Sequence, residues 1–234
     1  MKKQVLDHGY IELVESWGSD ERIIEAARMS TNKGFQGWGP QPDGKGGSKD
    51  GDEKLLRYLY EHKHHTPFEM AGMIVEVQAP IFVFREWHRH RTQSYNELSA
   101  RYTPMPDLNY LPSVDRCLMS GGKNKQAAGT GKDLTGDEAS GWRYKLAGFY
   151  DQAEKLYQQG LSAGIPKELA RLCIPVGRYS RMRASSNLRN WLGFLTLRMD
   201  SAAQWEIRQF ANVVGELVAI AFPRTWDLFL ENKK

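Results

Sequence analysis

Arg85, Arg89, Arg91 and Arg101 fall within one short stretch, Arg85-Glu86-Trp87-His88-Arg89-His90-Arg91-Thr92-Gln93-Ser94-Tyr95-Asn96-Glu97-Leu98-Ser99-Ala100-Arg101. A guanidinium is planar, offers a rigid fork of donors and matches phosphate oxygens two at a time. Arginines gathered this closely can hold a pyrophosphate or a phosphate monoester. His, Ser, Asn and Glu are mixed among them, which is more chemistry than solubility requires. Ile81, Phe82 and Phe84 come just before it and Trp87 lies within it, and together they anchor the backbone. A basic helix end that favours its own dipole accounts for the same residues more simply. Ser94-x-x-Glu97 likewise suits a capping box.

A second cluster is His62-Lys63-His64-His65-Thr66-Pro67-Phe68-Glu69, and five of the six histidines lie between positions 62 and 90. Imidazole is a common metal ligand. The spacing gives no HExxH and no suitably placed carboxylate, so no metal is expected and a polar helix end turning at Thr66-Pro67 suffices. A third cluster holds Arg171, Arg178, Arg181, Arg183, Asn187, Arg189 and Arg198. Arg178, Arg181 and Arg183 suit a solvated basic face. Arg171, Asn187, Arg189 and Arg198 stand among leucines, where an unpaired charge is costly and a bound anion would serve as partner. Gly129-Thr-Gly131-Lys132 fails as a P-loop, with Gln126 and Asp133 at the wrong places, and Gly44-Lys-Gly46 lacks the third glycine of a dinucleotide turn.

These residues need elements to hold them. Tyr10–Glu15 and Met70–Gln78 read as strands; in the latter Met73, Val75 and Val77 share one face and Ile74, Glu76 and Gln78 the other. Ser19 is a fit N-cap for a helix over 19–31, and another carries Leu55, Leu56 and Leu59 to His62. Pro80 suits the first turn of a helix over 81–91, on which Arg85 and Arg89 share a face. Trp142, Leu146, Phe149, Ala153, Leu156 and Leu161 keep helical spacing from Asp137. Pro166 opens a short helix, Val176–Ser186 is extended, and Asn187 caps a helix with Leu188, Trp191, Leu192 and Leu195. Ala203, Ile207, Phe210, Val214, Leu217 and Ala221 form the clearest stripe, with Ser201 and Gln204 as a capping box and Pro223 as its stop. Residues 33–51 and 113–136 read as mobile loops. Helices with few strands imply an α+β fold in one domain over 1–234.

Composition narrows the class. The chain has 234 residues, 41% hydrophobic and 26% charged, with a net charge of +4, ordinary for a globular protein and mildly suited to an anionic partner. Two cysteines, Cys117 and Cys173, make neither a disulfide framework nor a zinc site. Met1-Lys2-Lys3-Gln4 leads into polar residues, so no signal peptide is expected. No apolar run approaches the ~18 residues of a membrane span, and the expected location is the cytoplasm. No helix-turn-helix, zinc-finger or RNP signature supports nucleic-acid binding.

Arg89-His90-Arg91-Thr92-Gln93-Ser94 matches RHRxxS, and the chain resembles the flavin-dependent thymidylate synthases there. His64–Glu69 resembles that family's HxTPFE segment, Asp200–Ile207 its DSxAQWEI, and Ala27-Arg28-Met29-Ser30 its AARxS. The order of the four matches is the family's. The resemblance implies an α+β enzyme, a methyltransferase that is also an oxidoreductase. It would convert dUMP to dTMP with methylene-tetrahydrofolate as carbon donor and FAD reduced by NADPH as hydride source. Arg89, His90 and Arg91 are the implied FAD contacts, helped by Thr66, Asn187 and Arg189, with His64 near the flavin ring. Glu97, Ser99, Arg101 and Arg171 are implied at dUMP, Glu97 and Arg89 between both ligands. Arg198 is the implied catalytic arginine, set on the uracil to favour its ionised N3. Glu86 stands where a glutamine contacts the nucleotide, His88 replaces an aromatic, and Gly193 stands where Asn or His meets the flavin. The family implies a homotetramer with shared sites, no membrane and no nucleic acid. It also implies no cysteine nucleophile.

Overall fold

A strand that alternates apolar and polar residues must bury one face and wet the other. The segment around Val75 does so, and the sheet forms on it. In the computed structural model, which describes residues 1–119 and 133–233, the strands are β1 (Lys2–Val5), β2 (Gly9–Trp17), β3 (Gln41–Pro42), β4 (Ser48–Lys49), β5 (Gly72–Pro80), β6 (Ser94–Glu97) and β7 (Tyr179–Asn187). The helices are α1 (Asp20–Arg28), α2 (Asp52–Glu61), α3 (Ile81–Trp87), α4 (Val114–Leu118), α5 (Gly136–Ser162), α6 (Lys167–Ala170), α7 (Leu188–Arg198), α8 (Trp205–Ala221) and α9 (Pro223–Asn232). The main sheet has the order β1-β2-β5-β7-β6 and is antiparallel throughout. The α+β class read from the sequence is the class found.

Met73, Val75 and Val77 of β5 and Met182 and Ala184 of β7 are buried on one face. They join Phe84, Trp191, Phe210 and Val214 in one core beneath α3, α7 and α8. Glu76, Arg181 and Arg183 lie on the other face, where Arg183 donates to Glu76 at 3.3 Å. β1 and β6 escape a pattern search because each is a four-residue polar edge strand.

Several ends are set as the sequence reads. Ser19 caps α1 by accepting from the Arg22 amide, and Asn187 caps α7 by accepting from the Asn190 amide. Ile207, Phe210, Val214 and Leu217 of α8 are all buried. Others differ. Gln204 precedes α8 without a side-chain bond, so the Ser201–Gln204 box does not form. Pro223 ends α8 by opening α9, as proline in a first turn does. Thr135 and Glu138 make a capping box on α5. Its inward residues are Ala139, Ala153 and Tyr157, while Trp142, Phe149 and Leu156 stay more than half exposed.

Residues 33–51, expected as a loop, include the β3–β4 ladder. The segment is fastened by Trp38, whose indole donates to Glu21 at 2.7 Å beneath the Arg224 guanidinium. The expected loop at 113–136 contains α4, which Arg116 ties to Glu206 of α8 at 2.7 Å. Residues 120–132, with the Gly129–Lys132 segment, lie outside the described residues. No helix among the described residues is long and apolar enough to cross a membrane.

Candidate active site

α3 is short because the chain after it is captured by the sheet. Val83, Phe84 and Trp87 are buried, and the Trp87 ring lies 4.6 Å from Phe194 of α7. Beyond Trp87 the backbone turns, with the His90 amide on the Trp87 carbonyl at 3.0 Å and the Gln93 amide on the His90 carbonyl at 3.3 Å. The Tyr95 hydroxyl, from β6, donates to the His90 carbonyl at 2.7 Å and the Trp87 carbonyl at 3.2 Å. Burial pushes the Tyr95 hydroxyl up to about 12, so it stays a donor. The expected helix over 81–91 therefore stops four residues early. Arg89 does not continue the face of Arg85, and Ser94-x-x-Glu97 is strand rather than a capping box. Arg89 and Arg91 stand exposed on this turn.

Arg198 ends α7, whose Leu188, Trp191, Phe194 and Leu195 are fully buried. Each such leucine or phenylalanine contributes about 1.5–3 kcal/mol, so the helix holds its terminal residue in a fixed place. The guanidinium donates from Nε to His90 Nε2 at 2.9 Å, from one terminal nitrogen to Glu86 Oε2 at 2.8 Å, and from the other to the Glu86 carbonyl at 2.8 Å. Burial first, and then the adjacent Arg198 charge, hold the His90 imidazole down to about 4; Glu86 pulls the other way. His90 is neutral at neutral pH and accepts at Nε2. Its ring meets Phe194 edge-on at 4.9 Å.

A cleft of about 770 Å³ opens near the other end of α7, lined by His64, Thr66 and Arg189 with Ser30, Tyr58 and Lys63. Thr66 begins a single 3-10 turn over Thr66–Met70. Glu69 of that turn pairs with Arg189. Asn190 Nδ2 donates to the Thr92 carbonyl at 3.3 Å, which sets the arginine turn against the start of α7. Arg189 and Arg198 are nine residues apart on one helix, roughly 14 Å at 1.5 Å per residue.

Ser99, Arg101 and Arg171 form a third group. Ser99 Oγ accepts from the Arg101 amide at 3.3 Å, and Arg101 faces Glu168 at 3.3 Å. Ala100 and Ala170, their chain neighbours, share a small cluster with Met105 and Tyr157. Arg171 is exposed rather than enclosed by its leucines, since Leu172 is itself exposed. Glu97 ends β6 opposite Met182 and is exposed. Among the described residues no hydrogen bond or ion pair joins this group to Arg198.

The reading of Arg178 as a solvated cation is overturned. Its side chain is 0% exposed and donates to the Pro106 carbonyl at 2.8 Å, to Asp107 at 3.1 Å and to Glu154 at 2.6 Å. It is a structural tie, and only Arg181 and Arg183 are exposed. The contact of Glu86 and His90 with Arg198 carries no periodic signal, and sequence reasoning missed it.

The sequence pattern of the family described as thymidylate synthase complementing protein (Thy1) matches residues 12–224. The flavin-dependent thymidylate synthase of Thermosipho melanesiensis is 36% identical over 234 residues, covering 99% of this chain and 94% of that one. The enzyme of the same name from Thermus thermophilus is 36% identical over 228 residues, covering 97% and 78%. Among solved structures, the UMP/dUMP methylase PolB from Streptomyces cacaoi, bound with 5-Br dUMP, superposes with a TM-score of 0.80 at 32% identity, covering 98% of this chain and 97% of that one. With the pattern matched over most of its length and relatives this similar end to end, the chain belongs to the family of flavin-dependent thymidylate synthases and is an enzyme of that type.

Proposed function

We propose that this enzyme methylates dUMP to dTMP, with methylene-tetrahydrofolate as carbon donor and FAD, reduced by NADPH, as hydride source. The observation that carries the reading is the fixed guanidinium of Arg198. All three of its nitrogens donate, to His90 and to two atoms of Glu86, yet it is 15% exposed, beside a neutral His90. A cation held this way stabilises negative charge that develops on a pyrimidine ring, which strengthens C5 as a nucleophile. Ser99, Arg101 and Arg171 would take the phosphate, with Glu97 beside them.

The residues present fit a flavin nucleotide. The cleft at His64, Thr66 and Arg189 has the size of a ligand site. Its imidazole, hydroxyl and cations suit an anionic, ring-bearing ligand, and Thr92, next after the Arg89–Arg91 turn, is bonded to Asn190 near the start of the same helix. Bound flavin supplies the hydride; the protein's part is placement. Asn187 would offer its amide nitrogen, its oxygen already accepting from the Asn190 amide at the cap of α7. The reading uses no cysteine nucleophile, in keeping with the Cys173 thiol donating to the carbonyls of Ala153 and Ala170.

The whole chain acts as one domain, in the cytoplasm, as a homotetramer whose sites combine residues of several copies. Among the described residues no hydrogen bond or ion pair joins Arg101 or Arg171 to Arg198, which is in keeping with shared sites. So do the exposed Trp142, Phe149 and Leu156 on α5.

The test is the visible spectrum of the purified protein, first with added FAD and then with NADPH and dUMP. Oxidised-flavin bands that bleach on reduction, followed by dTMP once the folate is supplied, are expected. A protein that takes up no flavin refutes the reading.

A further inference from the structure

Arg198 reaches across from α7 to the end of α3, and both of its contacts there belong to one residue. The last four carbonyls of a helix lack intrahelical partners. Glu86 is in the final turn of α3, and its carbonyl accepts from Arg198 at 2.8 Å. Its carboxylate accepts from the neighbouring nitrogen at the same distance. A guanidinium has five N–H donors. One goes to His90 and two to Glu86, which leaves two for a ligand. The three acceptors come from two directions and so fix the plane of the group as well as its position. The Glu86 side chain is 38% exposed against 15% for Arg198, so the carboxylate lies at the rim with the guanidinium inside it.

We propose that Glu86 is the positioning residue of Arg198, its carboxylate fixing the guanidinium plane that meets the substrate ring. This rests on the role given to Arg198 above. It differs from a direct nucleotide contact in that Oε2 of the carboxylate is given to the Arg198 guanidinium. Removing the carboxylate leaves the backbone carbonyl and His90 in place, so the variant keeps its fold but lets the plane swing. A displacement near 1 Å at a reacting centre costs up to about 100-fold in rate.

The experiment is steady-state kinetics on the flavin-loaded enzyme, on Glu86→Ala and on Glu86→Gln, with flavin absorbance and thermal melting as controls. Glu86→Ala is expected to lose about tenfold or more in kcat. Its KM for dUMP should stay within about threefold. Glu86→Gln should recover most of the lost kcat, because its amide oxygen can accept the same bond. A raised KM with unchanged kcat in Glu86→Ala would make Glu86 a substrate ligand and overturn the proposal. Failure of Glu86→Gln to improve on Glu86→Ala would overturn it too, as would loss of flavin or melting stability that accounts for the defect. A flavin-loaded native enzyme that makes no dTMP would sink the function itself, and the inference with it. An active native enzyme indifferent to Glu86→Ala sinks the inference alone.

Discussion

Arg198→Lys keeps the charge at the end of α7 and removes the planar fork. The lysine nitrogen falls near the place of the guanidinium carbon. From there it can keep one contact with Glu86, but not the Nε bond to His90 at 2.9 Å together with both bonds to Glu86 at 2.8 Å. Two lost hydrogen bonds, at about 1 kcal/mol each, lower stability by about 2 kcal/mol. For a chain of this size that is a fall in Tm of roughly 4–8 °C. The catalytic loss is larger. Removing one preorganised donor from developing charge costs about 2.7–4 kcal/mol, or 10²–10³ in kcat. Flavin uptake should persist, because the cleft at Arg189 lies roughly 14 Å away along the helix and the His90 backbone is still held by the Tyr95 hydroxyl. The assay is dTMP formation at saturating dUMP, with flavin absorbance and melting on the same preparation. Turnover within about threefold of native would remove Arg198 from the mechanism. Loss of flavin would show that the two ends of α7 are not independent.

Arg178→Met leaves the Glu154 carboxylate, 15% exposed, without its cation. Breaking a buried pair from one side costs about 3–5 kcal/mol, and a loss under about 1 kcal/mol in urea unfolding would contradict the tie described here. His90 gives a pH dependence: its folded pKa of about 4 lies below the ordinary 6.5. The unfolded chain therefore takes the proton first, so the stability contribution is whole above pH 6.5 and is lost between 6.5 and about 4. At about 1.36 kcal/mol per unit the ceiling is about 3.4 kcal/mol, and solvent screening of this half-buried ring reduces it to roughly 1–2 kcal/mol. Urea unfolding at both ends of that window should show the slope in the native chain and lose it in His90→Gln; parallel curves refute it. The double variant Cys117→Ala, Cys173→Ala is expected to keep turnover within about threefold of native. A folded but inactive double variant would establish a cysteine step.

What could be read in advance depended on local pattern. β5 was legible because Met73, Val75 and Val77 alternate with polar residues, and α8 because Ile207, Phe210, Val214 and Leu217 keep one face. α3 ends before its expected limit because its stop is tertiary: Tyr95 of β6 claims the carbonyls of Trp87 and His90. Arg178 looks like Arg181 and Arg183 in sequence, and only the arrival of Glu154 and Asp107 from distant segments distinguishes it. The site behaved likewise. Its residues were named through family motifs, whereas the contact of Arg198 with His90 joins positions 108 apart and that with Glu86 positions 112 apart. Trp142, Phe149 and Leu156 fitted a helical stripe, yet the single chain does not cover them.

α7 joins Arg189 at the cleft to Arg198 beside Glu86 and His90, and a helix transmits rotation as well as distance. Each residue turns the chain by about 100° and advances it 1.5 Å. One residue inserted between Arg189 and Arg198 would therefore swing the guanidinium away from Glu86 and His90 while hardly changing the separation of the two ends. Two full turns, about seven residues, would restore the orientation but lengthen the span by about 10.5 Å, too far for the same ligands. Leu188–Arg198 thus has a fixed count as well as a fixed face. Its exposed positions can vary in kind, but the segment cannot gain or lose a residue and keep both ends in phase.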